Sequence, residues 1–177
     1  SPKLLICEKP ISTNYEELNI LEDLYKKNNT KIFVNYQRRF QPKLIKLKSI
    51  IKKKLESKPI QNIVVTYQNG IHNNGSHALD FISFLLDMKY KNIKIVNFNK
   101  IYDISLSDPT ISANIIWNNI NINLIGVTYV EFSLLNIDIY FKDEAISLTE
   151  GCNKIEFKTP GKYKFLHQNK NQEIKKC

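Results

Sequence analysis

The sequence predicts an α+β (α/β) chain, in which a short βαβ unit leads into an open, mostly antiparallel sheet with helices on one face. Two patterns predict it. An apolar run at Lys3–Cys7, a helical recurrence of Leu18, Leu21, Leu24 and Tyr25, and a second apolar run at Ile32–Tyr36 read as strand, helix, strand, which favours parallel pairing. After Asn92 the period changes to two: Ile120-Asn121-Ile122-Asn123-Leu124 and the stretch Leu135–Lys142 alternate strictly, as an antiparallel sheet with one apolar face does.

Taken in order, Pro10 ends the first strand, and Thr13-Asn14-Tyr15-Glu16 fits a capping box, with Ser12 or Thr13 as the cap. Asn28-Asn29 stops that helix. A lysine-rich helix follows Pro42 and runs to about Ser57. Its Leu44, Leu47, Ile50, Ile51 and Leu55 alternate with Lys43, Lys46, Lys48, Lys52, Lys53 and Lys54, which reads as a solvated lysine face. Ile63–Gln68 is a strand, an Asn/Gly loop follows, and Ser76 caps a helix to about Met88. On that helix Leu79, Ile82, Leu85 and Leu86 share one side, with His77, Asp80, Phe81 and Phe84 roughly opposite. Ile93–Phe98 opens the sheet, and Ile146/Leu148 and Ile155/Phe157 continue it. Its polar face carries Trp117, Tyr129 or Tyr140, depending on register, and the Lys/Asn/Gln-rich tail from His167 is expected to fray.

A chain of 177 residues, 42% of them apolar, holds one domain, or one domain and part of another. It has no apolar run long enough to span a membrane, and no signal peptide is expected. It begins Ser1-Pro2 and its one methionine is Met88, which reads as a fragment. The net charge of +9 raises a nucleic-acid reading, but all of the basic residues except Arg38 and Arg39 are lysines, whereas specific nucleic-acid readers rely on arginine. Three widely spaced cysteines, Cys7, Cys152 and Cys177, without a CxxC, fit a reducing cytoplasm and argue against disulfides and zinc.

The chemistry is carried by a few residues. Lys9 precedes Pro10, so its backbone is held extended, and the Lys9-Pro10 bond is a candidate for the cis form. An ammonium fixed there would favour the alkoxide of a reacting hydroxyl, though a surface lysine is the plainer reading. His77, in the first turn of its helix, would have its pKa lowered by the helix N-terminus and serve as a general base; the alternative is a packing histidine. Asn73 and Asn74 could hydrogen-bond a polyol, or merely form a turn, and His72 is a loop residue. Arg38 and Arg39 follow a strand, where one of them could meet a ligand or form a structural ion pair. His72 and His77 are poorly spaced for a metal, and no GxGxxG, GxxxxGK[ST] or GxSxG occurs.

Glu8-Lys9-Pro10, Asn35-Tyr36-Gln37-Arg38-Arg39-Phe40-Gln41-Pro42 and Gly70–Asp80, ending Gly75-Ser76-His77-Ala78-Leu79-Asp80, occur in this order ahead of the antiparallel pattern. Together they resemble the glucose-fructose oxidoreductase, inositol dehydrogenase and MocA family of NAD(P)-dependent oxidoreductases. The resemblance implies that residues 1–41 are the end of a Rossmann domain. Residues 42–177 are then a dihydrodipicolinate-reductase-like substrate and oligomerisation domain. It implies Lys9 and His77 as catalytic residues, Glu8, Lys9 and Pro10 at the cofactor, and Tyr36, Arg38, Arg39, Asn73 and Asn74 at the substrate, with no metal. Asn73 stands where polyol dehydrogenases often carry an aspartate, so an Asp–His relay is not expected. The implied activity is hydride transfer at a hydroxyl of a sugar or nucleotide sugar, in polysaccharide or glycan biosynthesis, in the complete protein. NAD or NADP is the implied cofactor, not bound tightly by this chain alone, because the glycine-rich turn that cradles the pyrophosphate is missing. The implied partners are the substrate and a second copy through the open sheet face, with no nucleic acid and no membrane. A non-catalytic binding or assembly protein on the same scaffold is the alternative.

Overall fold

The computed structural model describes residues 2–102 and 105–160. It opens with β1 (Leu4–Glu8), α1 (Tyr15–Lys27) and β2 (Lys31–Asn35), and β1 pairs with β2 in parallel, the arrangement the sequence pattern favours. A single 3₁₀ turn (Gln37–Phe40) leads into α2 (Pro42–Leu55), which has Pro at its start, where the missing N–H costs nothing. Then come β3 (Ile60–Tyr67), a π turn (Gly70–Gly75) and α3 (Ser76–Leu86). The rest is sheet: β4 (Ile93–Ile101), β5 (Thr110–Trp117), β6 (Ile120–Gly126), β7 (Leu135–Phe141), β8 (Ala145–Thr149) and β9 (Lys154–Lys158).

The large sheet has the order β4-β5-β6-β3-β7-β8-β9. All its pairs are antiparallel except β3 with β6. Leu44, Leu47 and Ile51 of α2 and Phe81, Ile82 and Leu85 of α3 are buried in one core with Ile63, Val65, Tyr67, Ile122, Ile137, Ile139 and Leu148 of the sheet. Each such burial contributes about 1.5–3 kcal/mol before its entropy cost is counted. The sheet therefore has helices on one face. The other face presents alternate residues such as Asn136, Asp138 and Tyr140 of β7, whose strand alternates buried and less buried positions.

Several expectations change. Neither Ser12 nor Thr13 caps α1: Asn14 does, with extended backbone angles and a side chain that accepts from the Glu16 N–H at 2.8 Å. Ser12 instead bridges the Asn14 N–H and the Glu17 carboxylate. β1 is not a buried strand but alternates exposed and half-buried residues. α3 has no serine cap, because its first turn continues the π turn and Ser76 Oγ donates backwards to the carbonyls of His72 and Asn73. The core side of α3 takes Phe81, while Leu79 is only partly buried. Trp117 faces the core, with its indole N–H donating to the Lys89 carbonyl at 2.9 Å, so of the three aromatics only Tyr140 is on the open face of a strand; Tyr129 lies in a loop. The lysine face of α2 is not wholly solvated either. Lys48 pairs with Asp87, and Lys54 with the half-buried Glu144 of the β7–β8 turn. The tail from His167 and Cys177 lie outside the described residues.

Candidate active site

Two carboxyl strand ends and one helix entry build the site. Lys9 directly follows β1 and Tyr36 directly follows β2, so both stand at the same edge of the parallel pair. The Lys9-Pro10 bond is cis. At the ends of these strands Glu8 Oε1 accepts from Asn35 Nδ2 at 2.9 Å. The opposing wall is the π turn and the start of α3. Asn69 and Gly70 enter it with positive φ, a conformation that asparagine and glycine tolerate best.

Lys9 crosses to that wall. Its Nζ donates to Asn73 Oδ1 at 2.8 Å and approaches the Asn73 carbonyl oxygen at 3.4 Å. His77, one turn further on, meets Tyr36 edge-on with 5.8 Å between ring centroids. Burial first, then the charges of Lys9 and Arg38, push the His77 imidazole down to about 4, so it is neutral at pH 7 and able to take a proton. The direction is the one the sequence suggested, with burial as its leading cause. Burial, then Arg38, also lower the Lys9 ammonium, while Asp108 and Glu8 draw it back up. Burial raises the Tyr36 phenol, and a hydrogen bond with Ser76 opposes that.

The two arginines separate. Arg39 is in a structural ion pair: Nε donates to Asp80 Oδ2 at 2.8 Å, Nη2 reaches Oδ1, and its Cζ lies 5.6 Å from the Tyr36 ring centroid. Arg38 has no carboxylate partner among the described residues. Its Nη1 donates to the Gly151 carbonyl at 2.9 Å and its Cζ sits 6.0 Å from the Phe81 ring centroid. Asn74 and His72 are half-buried in the π turn, and the His72 N–H donates to Asp108 Oδ1 at 2.8 Å. Asp108 was not anticipated from sequence. The dipeptide Asp108-Pro109 signals only a turn, and nothing in its spacing points 35 residues back to Asn73. Among the described residues no group of three His, Cys, Asp or Glu side chains could hold a metal ion.

These residues fit one end of a dinucleotide. The carboxyl edge of parallel strands is where α/β sheets receive such ligands, and Lys9 and Tyr36 both stand there. Among the described residues no glycine-rich turn follows a strand, the feature that would cradle a pyrophosphate.

The sequence matches no family model and no curated protein. The fold does have counterparts. It is the fold of the carboxyl-terminal part of dehydrogenases of the glucose-fructose oxidoreductase, inositol dehydrogenase and MocA type. Among solved structures it is similar to the 3-ketoreductase KijD10 from Actinomadura kijaniata in complex with NADP (9% identity, 88% of this chain and 52% of that one, TM-score 0.67). It is also similar to a D-galactose-1-dehydrogenase from Rhizobium etli (16% identity, 84% and 53%, TM-score 0.62). The transcriptional regulator Gal80p from Kluyveromyces lactis shares it too (16% identity, 88% and 48%, TM-score 0.64). The chain thus spans about half the length of the structures it matches.

Proposed function

We propose that this chain is the catalytic and substrate-binding part of a cytoplasmic NAD(P)-dependent oxidoreductase that acts on a hydroxyl of a sugar or nucleotide sugar. The observation that carries the reading is the convergence of Lys9, from the parallel unit, with Asn73 and His77 on the π turn and α3. A bound nicotinamide would supply the hydride acceptor. The chain's residues do the rest: a ring nitrogen of neutral His77 takes the hydroxyl proton as the carbinol C–H bond gives up its hydride, leaving a carbonyl. The Lys9 ammonium favours the developing alkoxide. Tyr36 and Asn74 line the substrate space. Arg38, which has no carboxylate partner among the described residues, supports a substrate bearing a phosphate or carboxylate, as nucleotide sugars do.

Residues 1–41 belong, in this reading, to a larger dinucleotide-binding domain. Ile6 is 63% and Ile20 61% exposed, and parallel strands ordinarily have both faces covered. The open face of the large sheet is proposed as the contact with a second copy, and the free, half-buried Cys7 and buried Cys152 suit a reducing compartment. A role in polysaccharide or glycan biosynthesis is part of the same proposal.

The test is a titration of the complete protein with NADH and NADPH, followed by nicotinamide fluorescence. Micromolar binding of one supports the reading and names the cofactor; binding of neither sinks it. A second reading, a non-catalytic regulator on this scaffold, is favoured by Asn73, which cannot relay a proton, and by the fold shared with a transcriptional regulator. Tight dinucleotide binding without turnover on any sugar or nucleotide sugar would select it.

A further inference from the structure

We infer that Asp108, in the β4–β5 connection, is a positioning residue for the reacting pair: its carboxylate holds the π turn so that Asn73 presents its side-chain oxygen to Lys9. The inference rests on the reading of Lys9 and His77 as that pair.

The geometry is specific. Asp108 accepts from two consecutive backbone amides, His72 N–H at 2.8 Å on Oδ1 and Asn73 N–H at 3.1 Å on Oδ2. A π turn leaves such amides without the usual helical partners, and a carboxylate across two of them is a charge-assisted clamp. On the other side of the same turn, the single Ser76 Oγ proton is shared between the His72 carbonyl at 2.6 Å and the Asn73 carbonyl at 2.8 Å. Asn73 is thereby fixed at both its N–H and its C=O, and its remaining oxygen accepts from Lys9 Nζ at 2.8 Å. Gly70 makes room for this: a Cβ there would lie 2.2 Å from Asp108 Oδ2.

The carboxylate also acts through space. The charged groups acting on Lys9 are Arg38 from the 3₁₀ turn, Asp108 from the β4–β5 connection and Glu8 at the end of β1, and Lys9 in turn acts on the titratable His77 of α3. Asp108 opposes the lowering of the Lys9 ammonium by burial and Arg38, and so helps keep it charged as an electrostatic partner of an alkoxide. A purely architectural cap would hold the turn without governing Lys9.

The test compares wild type with Asp108→Asn, Asp108→Ala and Thr110→Val in the complete protein. Thr110 is the structural control: its buried hydroxyl accepts from the Gly70 N–H at 3.0 Å and so supports the same turn without bearing charge. Two readouts are taken. One is steady-state kinetics against pH; the other is an NMR titration of isotopically methyl-labelled lysines, with the Lys9 signal assigned by its loss in Lys9→Arg. In both Asp108 variants kcat falls by about tenfold or more while the cofactor KM changes less than about twofold. The alkaline limb and the Lys9 titration both move to lower pH. Thr110→Val lowers the melting temperature and leaves the Lys9 titration in place. If the Lys9 titration does not move in Asp108→Asn, and its kcat matches Thr110→Val, Asp108 is only a turn cap and the inference fails. If wild type binds no dinucleotide, the dehydrogenase reading fails instead, and the NMR titration by itself decides whether Asp108 governs Lys9.

Discussion

Lys9 and Asn73 lie 64 residues apart in the chain and meet through a 2.8 Å hydrogen bond from ammonium to side-chain amide oxygen. The bond joins the carboxyl end of the parallel β1–β2 pair to the π turn that introduces α3. It holds the ammonium against the turn that leads into His77, and so it makes the site a property of two elements that neither contains alone.

That bond predicts the behaviour of Asn73. Asn73→Ala removes the acceptor, and turnover in the complete protein should fall by about tenfold. Asn73→Asp keeps the acceptor and adds a negative charge, which favours the charged ammonium. The alkaline limb of kcat/KM should then move to higher pH, and a limb that stays in place or moves down would show that Asn73 does not bear on Lys9.

The histidine makes a pH prediction with a definite sign. In the fold, burial and the charges of Lys9 and Arg38 bring His77 from 6.5 down to about 4. Between those values the unfolded chain takes up a proton that the folded chain does not. The contribution of His77 to stability is therefore complete above about 6.5 and is lost as pH falls towards about 4. Urea unfolding of wild type and His77→Gln across this range should give a difference that declines through the window and is constant outside it. The acid limb of kcat/KM should likewise sit near pH 4 rather than 6.5.

The Arg39–Asp80 pair should matter for stability rather than for substrate. Asp80 has 4% of its side chain exposed, and its desolvation outweighs the attraction of Arg39, so its carboxyl sits above the ordinary range. Arg39→Ala leaves that carboxylate buried and unpaired. The cost should be about 2–3 kcal/mol, below that of a fully buried pair because Arg39 keeps some solvent. Denaturant unfolding measures it, and the KM for substrate should change little.

Gly70 is confined by two independent constraints. Its φ is +79°, and an added Cβ would strike the Asp108 carboxylate. Gly70→Ala should cost about 2 kcal/mol or more in thermal or urea unfolding and should depress kcat as well, since it displaces the Asp108 clamp. A neutral effect on both would contradict the description of this turn.

Much of this could be read in the sequence because it is local. Alternation in Leu135–Phe141 and the strand-helix-strand run to Asn35 specify sheet and βαβ unit without reference to any partner. What escaped was set by tertiary context. Trp117 could lie on either face until the register with Ile120 fixed it inside. Ser76 looked like a cap because the residues before it resemble a loop, yet they wind into a π turn that its hydroxyl helps close. Phe81 looked peripheral on a helical wheel, but α3 packs against both α2 and the sheet, so more than one side of it is buried. Asp108 left no mark because its role depends on meeting the amides of His72 and Asn73, which lie far from it in the chain. Lys9 and His77 stood out only through the resemblance of three segments, since a pre-proline lysine and a lone histidine are each commonplace.

Whether Lys9 and His77 carry the chemistry is read from turnover of the complete protein, and of its Lys9→Ala and His77→Ala variants, on a panel of sugars and nucleotide sugars with NAD and NADP. Wild type should oxidise one of these substrates, with kcat reduced by about 10²-fold or more in each variant and the cofactor still bound. Wild-type rates in both variants would show that the chemistry lies elsewhere.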